Sequence, residues 1–234
     1  MIIPTTGIVH LFGAAVLIFL ASRFYRYYKA ENNYVAKLFS YSFFLIGLSY
    51  IFSGIPSLLL IKNQIIWRIS VPVYTFLLIG GWLVLAYILA YTKFRKYTWL
   101  IVGPISIFFI AIVISFITHP PFYFFIDGSV NWEIESLLGL MMFPAVLLLI
   151  IPMGISFFQQ ARRAEDRRVK IRAVGLGLAI CWMVIPVIFD FFLLSIFRVH
   201  PIYSDLTYFI FFLVLLVTVL LTWGRPQPAH RPKV

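Results

Sequence analysis

Long apolar segments alternate with short polar segments along the whole chain. Seven segments approach the roughly 20 apolar residues that a helix needs to cross about 30 Å of hydrocarbon. They are Thr5–Ser22, Leu38–Ile61, Ser70–Tyr91, Thr98–Thr118, Leu137–Phe158, Ala173–Phe197 and Leu206–Trp223. The alternating segments of about ten residues that form membrane barrels do not occur in the sequence. The pattern therefore predicts an all-α membrane protein, a seven-transmembrane-helix bundle formed by residues 1–223.

The composition supports a membrane protein rather than a soluble one. Hydrophobic residues make up 62% of the 234 residues and charged residues only 12%, whereas soluble domains are nearer one half and one quarter. The formal net charge of +11 could indicate a nucleic-acid-binding protein. However, the cations occur in short clusters between apolar runs, which is the pattern of connections beside a membrane.

The Lys and Arg residues fall almost entirely on one side of the predicted bundle. Of the 19, only Lys62, Arg68 and Arg198 lie in connections on the other side. The positive-inside rule then predicts an amino terminus outside and a carboxyl terminus in the cytoplasm. No cation precedes Arg23, so we expect the first segment to be a helix of the mature protein rather than a cleaved signal peptide. The protein is thus predicted to be a multi-pass protein of the cell (plasma) membrane, with a disordered cytoplasmic tail at residues 224–234.

The external connection His119–Ser136 contains a turn signal. Asp127-Gly128 is typical of a two-residue hairpin turn and has β-favouring residues on both sides. One interpretation is a small hairpin over Phe122–Glu135 that caps the bundle. The other is an irregular, aromatic-rich loop lying in the membrane interface.

The fifth connection, Gln159–Arg172, is the most basic segment of the chain. It has no Pro or Gly, so we expect helices five and six to extend beyond the membrane. Its cations are Arg162, Arg163, Arg167, Arg168, Lys170 and Arg172. They can set the topology and contact anionic lipids on the cytoplasmic face, or they can form a docking surface for a separate cytoplasmic protein.

Asp190 is the only acidic residue inside a predicted span. Because a charge in hydrocarbon costs a few kcal/mol or more, such a residue is a candidate for function. Pro186 lies nearby and frees the carbonyl of Trp182 from its helical hydrogen bond. Since short connections make helices six, seven and one neighbours, Asp190 can share a pocket with residues of similar depth. The candidate ligand-binding residues are Asp190, His10, Tyr208, Tyr74, Ser53 and Trp182.

Two interpretations of Asp190 remain open. In one, it is a protonated acid that only joins helices by hydrogen bonds. In the other, it binds a ligand or relays a proton.

No catalytic or cofactor motif stands out. The sequence has no HExxH pair, no GxSxG elbow, no P-loop and no second acid within a span. All the lysines fall in predicted connections or the tail, which argues against a retinal Schiff base. The single cysteine, Cys181, cannot form an intrachain disulfide or a cysteine-based metal site. Gly175 and Gly177 indicate close helix packing rather than nucleotide binding. We therefore expect neither an enzyme nor a cofactor or metal site.

The segment ARRAEDRRVKIRAVGLGLAI, Ala161–Ile180, and the layout of seven spans with short connections carry a family resemblance. They resemble the seven-helix sensory region at the amino terminus of bacterial and archaeal histidine kinases. The resemblance implies a membrane sensory, signalling or scaffold module that binds a small or lipidic ligand and communicates with a separate cytoplasmic partner. No kinase domain follows the last predicted span. The alternative is a small membrane transporter or an accessory subunit of one.

Overall fold

The structure, a computed structural model, describes residues 3–60, 63–119, 122–133, 136–193, 197 and 199–222. The predicted disordered tail and the cations Lys62 and Arg198 lie outside these residues. Helices occupy all seven predicted segments. They are α1 (Thr5–Glu31), α2 (Tyr34–Leu58), α3 (Gln64–Lys93), α4 (Thr98–Thr118), α5 (Ser136–Arg163), α6 (Arg167–Trp182), the short α7 (Val184–Ile188) and α8 (Ile202–Thr222), with a 3₁₀ turn at Arg95–Tyr97 and a π-helical turn at Phe189–Leu193.

The all-α class is confirmed, and the helices are consistent with a membrane protein. Among the described residues, six helical stretches are long and apolar enough to cross a membrane: Thr5–Glu31, Tyr34–Leu58, Gln64–Lys93, Arg95–Thr118, Arg167–Ile188 and Ile202–Leu221. Helix α5 is 28 residues long. Several helices run past the apolar segments, so cations such as Arg26 and Lys93 lie on terminal helical turns rather than in connections. No Pro or Gly interrupts these polar turns, and a polar surface is no obstacle to a helix.

Helices α1 to α4 pack each against the next, α5 packs against α6, and α8 packs against both α1 and α6. This confirms the predicted neighbourhood of the first, sixth and last helices. The contacts are close: a Cβ on Gly13 would lie 2.3 Å from the Phe212 ring, and one on Gly175 would lie 2.4 Å from Cγ2 of Thr218. The prediction that Gly175 serves helix packing is confirmed.

The connection between α4 and α5 is a β-hairpin, so the first of its two interpretations is confirmed. Strand β1 (Phe122–Ile126) pairs antiparallel with β2 (Ser129–Glu133). Asp127 and Gly128 form the turn with φ angles of 48° and 88°, the left-handed region that a type I′ turn requires. We call the end of the bundle that carries this hairpin the hairpin end, and the opposite end, where Glu31, Lys93 and Arg163 lie, the basic end.

The fifth connection is mostly helical, as predicted, but it contains a break at residues 164–166. Asp166 ends the break as the N-cap of α6, where its Oδ1 accepts from the backbone N–H groups of Arg168 (2.6 Å) and Val169 (3.2 Å). A side chain that satisfies two backbone donors favours a new helix start at this point.

The sixth predicted span is not one continuous helix. The sequence predicted one span over residues 173–197 in which Pro186 disturbs the helix, and in the structure α6 ends at Trp182, α7 covers Val184–Ile188, and a π-helical turn follows at Phe189–Leu193. Pro186 supplies a physical reason, because it lacks a backbone N–H and its ring clashes with the carbonyl four residues earlier. The break divides the sixth span close to Asp190.

Candidate functional site

Asp190 lies in the π-helical turn and joins the broken sixth span to α8. Its Oδ1 accepts a hydrogen bond from the Ser204 hydroxyl, and its Oδ2 accepts one from the Tyr208 hydroxyl at 2.7 Å. Ser204 and Tyr208 are four residues apart and share one face of α8. We call these three residues the Asp190 cluster. Isolated π-helical turns are rare and frequently lie at functional sites.

Three further aromatic rings, those of Tyr50, His10 and Tyr74, pack beside this cluster. Tyr50 is the central ring: its centroid lies 5.0 Å from that of His10, 6.1 Å from that of Tyr74 and 6.3 Å from that of Tyr208. Only 2% of Tyr50 is exposed. The sequence analysis missed Tyr50, although it precedes Ser53 by three residues and therefore lies on a similar face of α2.

The other candidate residues are joined by several different contacts. His10 Nδ1 and Ser53 Oγ lie 2.7 Å apart, and the His10 ring meets the edge of the Tyr208 ring at 6.4 Å. Tyr74 is linked to the group through Tyr50. Trp182 forms a separate bond between the sixth span and α8, because its indole Nε1 donates to the Thr207 carbonyl at 3.2 Å.

A second buried acid, Asp205, was placed by the sequence in a connection, and this placement is wrong. Helix α8 begins at Ile202, so Asp205 lies in its first turn, with 5% of its surface exposed. Its Oδ2 accepts from the hydroxyls of Thr6 (2.7 Å), Ser129 (3.0 Å) and Thr5 (3.2 Å). Acidic residues are common in the first turn of helices, so no signal in the sequence indicated that Asp205 is buried.

These four residues, which we call the Asp205 cluster, attach the hairpin to the bundle. Thr5 and Thr6 belong to α1 and Ser129 to β2. The Thr6 hydroxyl oxygen also accepts from the Val130 backbone N–H at 2.9 Å. On the other side of the hairpin, the Phe125 ring packs edge-on against Trp67 of α3. The hairpin is thus held at the ends of three helices.

An apolar cavity of about 50 Å³ lies between the helices next to Tyr50. Every long helix except α4 contributes to its wall, including α6 and α8. Leu176 and Ile180 come from α6, and Phe211 and Leu215 come from α8.

A larger crevice of about 380 Å³ lies at the basic end between α2, α3 and α5. Lys93 and Arg163 lie on its wall with Phe39 and Phe157. Met153 lines both this crevice and the central cavity.

The cations of the fifth connection form an exposed surface at the basic end. Arg162, Arg163, Arg167, Arg168 and Lys170 are exposed, whereas Arg172 is half-buried. Other cations at this end lie over aromatic rings: the Arg23 guanidinium is 4.9 Å from the Phe19 centroid and the Lys29 ammonium 5.5 Å from that of Tyr25. Such pairs are common where a protein meets the headgroup region.

Among the residues that the structure describes, no three His, Cys, Asp or Glu side chains are grouped so that they could hold a metal ion. Comparison with known proteins produced no match: no family model fits the chain, and no curated protein or solved structure is significantly similar to it. The resemblance to histidine kinase sensory regions therefore stays a prediction.

Proposed function

We propose that this chain is a seven-span membrane module that senses a small or lipidic ligand and transmits a helix movement to a separate cytoplasmic partner. In this proposal the basic end faces the cytoplasm and the hairpin end faces outside. The exposed cations at the basic end and the aromatic rings beneath them support that orientation. A reporter fused after Trp223 is expected to be cytoplasmic and one inserted between Asp127 and Gly128 external; the reverse at either position would contradict the orientation.

One observation carries the sensory proposal: the broken sixth span is bonded to α8 through Asp190, beside a cavity that both helices line. A ligand in that cavity contacts Leu176 and Ile180 on one side and Phe211 and Leu215 on the other. It therefore changes the relative positions of the two helices, because packed helices move between discrete arrangements rather than deform continuously.

The output surface follows from the same helix. Helix α6 is continuous from Trp182, beside the Asp190 cluster, to Arg167 at the basic end. Its 16 residues span about 24 Å at the helical rise of 1.5 Å per residue. A displacement at Trp182 thus reaches the cations of the fifth connection, which we assign as contacts for anionic lipid and for a cytoplasmic protein.

Hydrogen–deuterium exchange in lipid nanodiscs tests this transmission. Asp190→Leu removes the acceptor of both hydroxyls, so the backbone amides of Val184–Leu193 are expected to exchange faster. The proposal requires faster exchange also in the first turns of α6, near Arg168. Thr207→Val is the matched control, since the Thr207 hydroxyl donates within its own helix to the Ser204 carbonyl at 2.8 Å. Faster exchange around Asp190 with no change near Arg168 would contradict the sensory role.

A small transporter is the second candidate, favoured by the position of Met153 between the basic-end crevice and the central cavity. The crevice at the basic end and the central cavity thus follow one another along a line toward the hairpin end. A transporter has to open the hairpin end, whereas a sensor does not.

The Thr5 and Ser129 hydroxyl oxygens lie 2.6 Å apart, so a Thr5→Cys, Ser129→Cys disulfide can hold the hairpin closed. The amide exchange of α6 is then compared with and without Asp190→Leu in this locked protein. If Asp190→Leu no longer changes exchange near Arg168, transport is favoured. If it still speeds exchange there, sensing is favoured.

A further inference from the structure

The crevice at the basic end has cations at its outer end and apolar side chains along its depth. Lys93 and Arg163 are the last residues of α3 and α5, and both are exposed. Met153 marks the inner end, ten residues before Arg163 on the same helix, which is about 15 Å at the helical rise. Phe39 and Phe157 lie on the wall between these levels. The crevice therefore extends from the helix ends to a depth at which hydrocarbon surrounds a spanning helix.

Two contacts cross the crevice. The Phe39 and Phe157 rings lie 5.9 Å apart between centroids and join α2 to α5. The Lys93 ammonium donates to Gln159 Oε1 at 2.6 Å and joins α3 to α5. An ammonium has three N–H donors, so this bond leaves Lys93 two for a ligand.

The outer end of the crevice carries positive charge that no acid on its wall offsets. Among the described residues, no Asp or Glu lines the crevice, and Arg163 has no hydrogen bond or ion pair. A guanidinium offers five N–H donors in a planar fork that suits phosphate oxygens. Lys93 and Arg163 together therefore favour a phosphate at this end.

The apolar wall favours a lipid over a free phosphate ion. The volume of about 380 Å³ is within the range of sites that bind small molecules. A free phosphate ion contacts only the cations and leaves the surfaces of Phe39, Phe157 and Met153 without packing partners. A membrane lipid has its phosphate at the level of the helix ends and its acyl chains below, which matches both parts of the crevice.

We propose that the crevice at the basic end binds one anionic phospholipid. Its phosphate oxygens accept from Lys93 and Arg163, and one acyl chain lies along Phe39 and Phe157 toward Met153. A zwitterionic lipid binds less well, because its own cation is repelled by the two cations of the crevice. This inference rests on the membrane placement in the proposed function but not on the coupling through Asp190.

Native mass spectrometry of the full chain, purified in a non-ionic detergent, counts bound lipids directly. Titration with phosphatidylglycerol is expected to give one saturable bound molecule. Phosphatidylcholine is expected to bind roughly fivefold more weakly, the factor for one charge near a membrane surface.

Two double variants remove the same amount of charge from the basic end. Lys93→Gln with Arg163→Gln is expected to weaken phosphatidylglycerol binding roughly thirtyfold, the factor for two such cations. Arg26→Gln with Lys96→Gln is the matched control, since both side chains are exposed but neither lines the crevice. Its affinity should stay within about twofold of that of the unmutated protein, because distant exposed charges are screened.

A second pair of variants tests the acyl chain and keeps every cation. Ser156 lines the crevice, and its hydroxyl donates within its own helix to the Pro152 carbonyl at 2.8 Å. Ser156→Phe therefore narrows the apolar part and is expected to weaken phosphatidylglycerol binding roughly tenfold. Ile155→Phe is the control, because Ile155 is 50% exposed and does not line the crevice. Glycerol 3-phosphate, which has the phosphate without acyl chains, is expected not to displace the bound lipid.

Three results would overturn the inference. The first is a series of phosphatidylglycerol adducts with no saturable first molecule. The second is an equal loss in the two double variants, which indicates general attraction to a basic surface; all four of these side chains are exposed, so this arm holds even if Ser156→Phe does not fold. The third is displacement of the lipid by glycerol 3-phosphate, which indicates a site for phosphate alone.

Failure of the sensory function is distinguishable from failure of this inference. Asp190→Leu is expected to keep phosphatidylglycerol binding. If it does so and leaves amide exchange near Arg168 unchanged, the lipid site stands and the sensory role fails. If exchange near Arg168 responds but phosphatidylglycerol does not bind, the lipid site fails and the sensory role stands.

Discussion

Two acids at the hairpin end, the buried Asp205 and the half-buried Asp190, have similar partners and different surroundings. Asp205 lies in a regular first turn of α8 and accepts from three hydroxyls of α1 and the hairpin. Asp190 lies in a π-helical turn of a broken span and accepts from two hydroxyls of α8. The Asp205 cluster therefore joins α1, the hairpin and α8, which are regular where they meet. The Asp190 cluster instead joins α8 to a segment that is separated from α6 by the break in the sixth span.

This difference separates a structural role from a coupling role. The Thr6 hydroxyl donates to Asp205, and the Thr5 and Ser129 hydroxyls, whose oxygens lie 2.6 Å apart, are bonded to each other and to the same carboxylate oxygen. This shared network leaves Asp205 little freedom and holds the hairpin in one position. The segment that carries Asp190 follows Pro186, which has no backbone N–H and so leaves one bond out of the helical ladder. Its position therefore depends more on side-chain bonds and packing than that of a regular helix.

Asp205→Leu is expected to have the largest effect on stability. It removes the common acceptor of Thr5, Thr6 and Ser129 and leaves buried hydroxyl donors, at a cost of about 3 kcal/mol in the free energy of unfolding. Unfolding in mixed micelles by sodium dodecyl sulfate titration measures this loss, and limited proteolysis should show new cleavage in the hairpin. A stability within about 0.5 kcal/mol of the unmutated protein would show that the Asp205 cluster does not hold the hairpin.

Asp190→Leu is expected to cost less, about 1–2 kcal/mol, because the break in the sixth span lets its segment adjust, whereas Asp205→Leu disrupts a network of three hydroxyls between α1, the hairpin and α8. Asp190→Asn should cost under about 0.5 kcal/mol, since an amide can accept from one hydroxyl and donate to the other. The same titration measures both variants. A larger loss for Asp190→Leu than for Asp205→Leu would reverse the assigned roles.

Trp182→Phe tests the other bond between the sixth span and α8. It keeps an aromatic ring and removes the donor to the Thr207 carbonyl, so we expect a loss of about 1 kcal/mol. If Trp182 and the Asp190 cluster act on the same joint, the loss in Trp182→Phe combined with Asp190→Leu should differ from the sum of the single losses. Strict additivity would show that the two contacts act independently.

Asp127→Asn is expected to have the smallest effect. The Asp127 carboxylate lies 3.6 Å from His200 Nε2, but its side chain is 89% exposed, and exposed ion pairs contribute at most about 1 kcal/mol. Asparagine also tolerates the left-handed backbone of the turn. A change above about 1 kcal/mol in the same titration would mean that the turn, rather than the Asp205 cluster, holds the hairpin.

The sequence predicted those features that depend on local pattern. The helical segments follow from apolar runs of spanning length, the hairpin from Asp127-Gly128, and the contact of helices six, seven and one from short connections. Tyr208 was chosen because it lies at the depth of Asp190, and the structure confirms their contact.

The features that the sequence did not predict depend on contacts between distant segments. Nothing in the neighbourhood of Asp205 shows that Thr6 and Ser129 approach it from more than 70 residues away. Tyr50 and Trp82 resemble any aromatic residues of an apolar helix until the cavity beside them is known. The break of the sixth span had a visible cause in Pro186, but other helices here contain proline and stay continuous, such as α2 with Pro56.

The central claim is that the Asp190 cluster, unlike the Asp205 cluster, controls the position of α6 at the basic end. Spin labels at Lys29→Cys and Arg168→Cys, in a Cys181→Ala background, report the distance between α1 and α6 by pulsed electron paramagnetic resonance. Two matched double variants each remove two hydroxyl donors: Ser204→Ala with Tyr208→Phe, and Thr6→Val with Ser129→Ala. The first is expected to shift or broaden the distance distribution by about 1–2 Å, the size of a helix shift, and the second to leave it unchanged. An unchanged distribution in the first variant, or equal changes in both, would contradict the account.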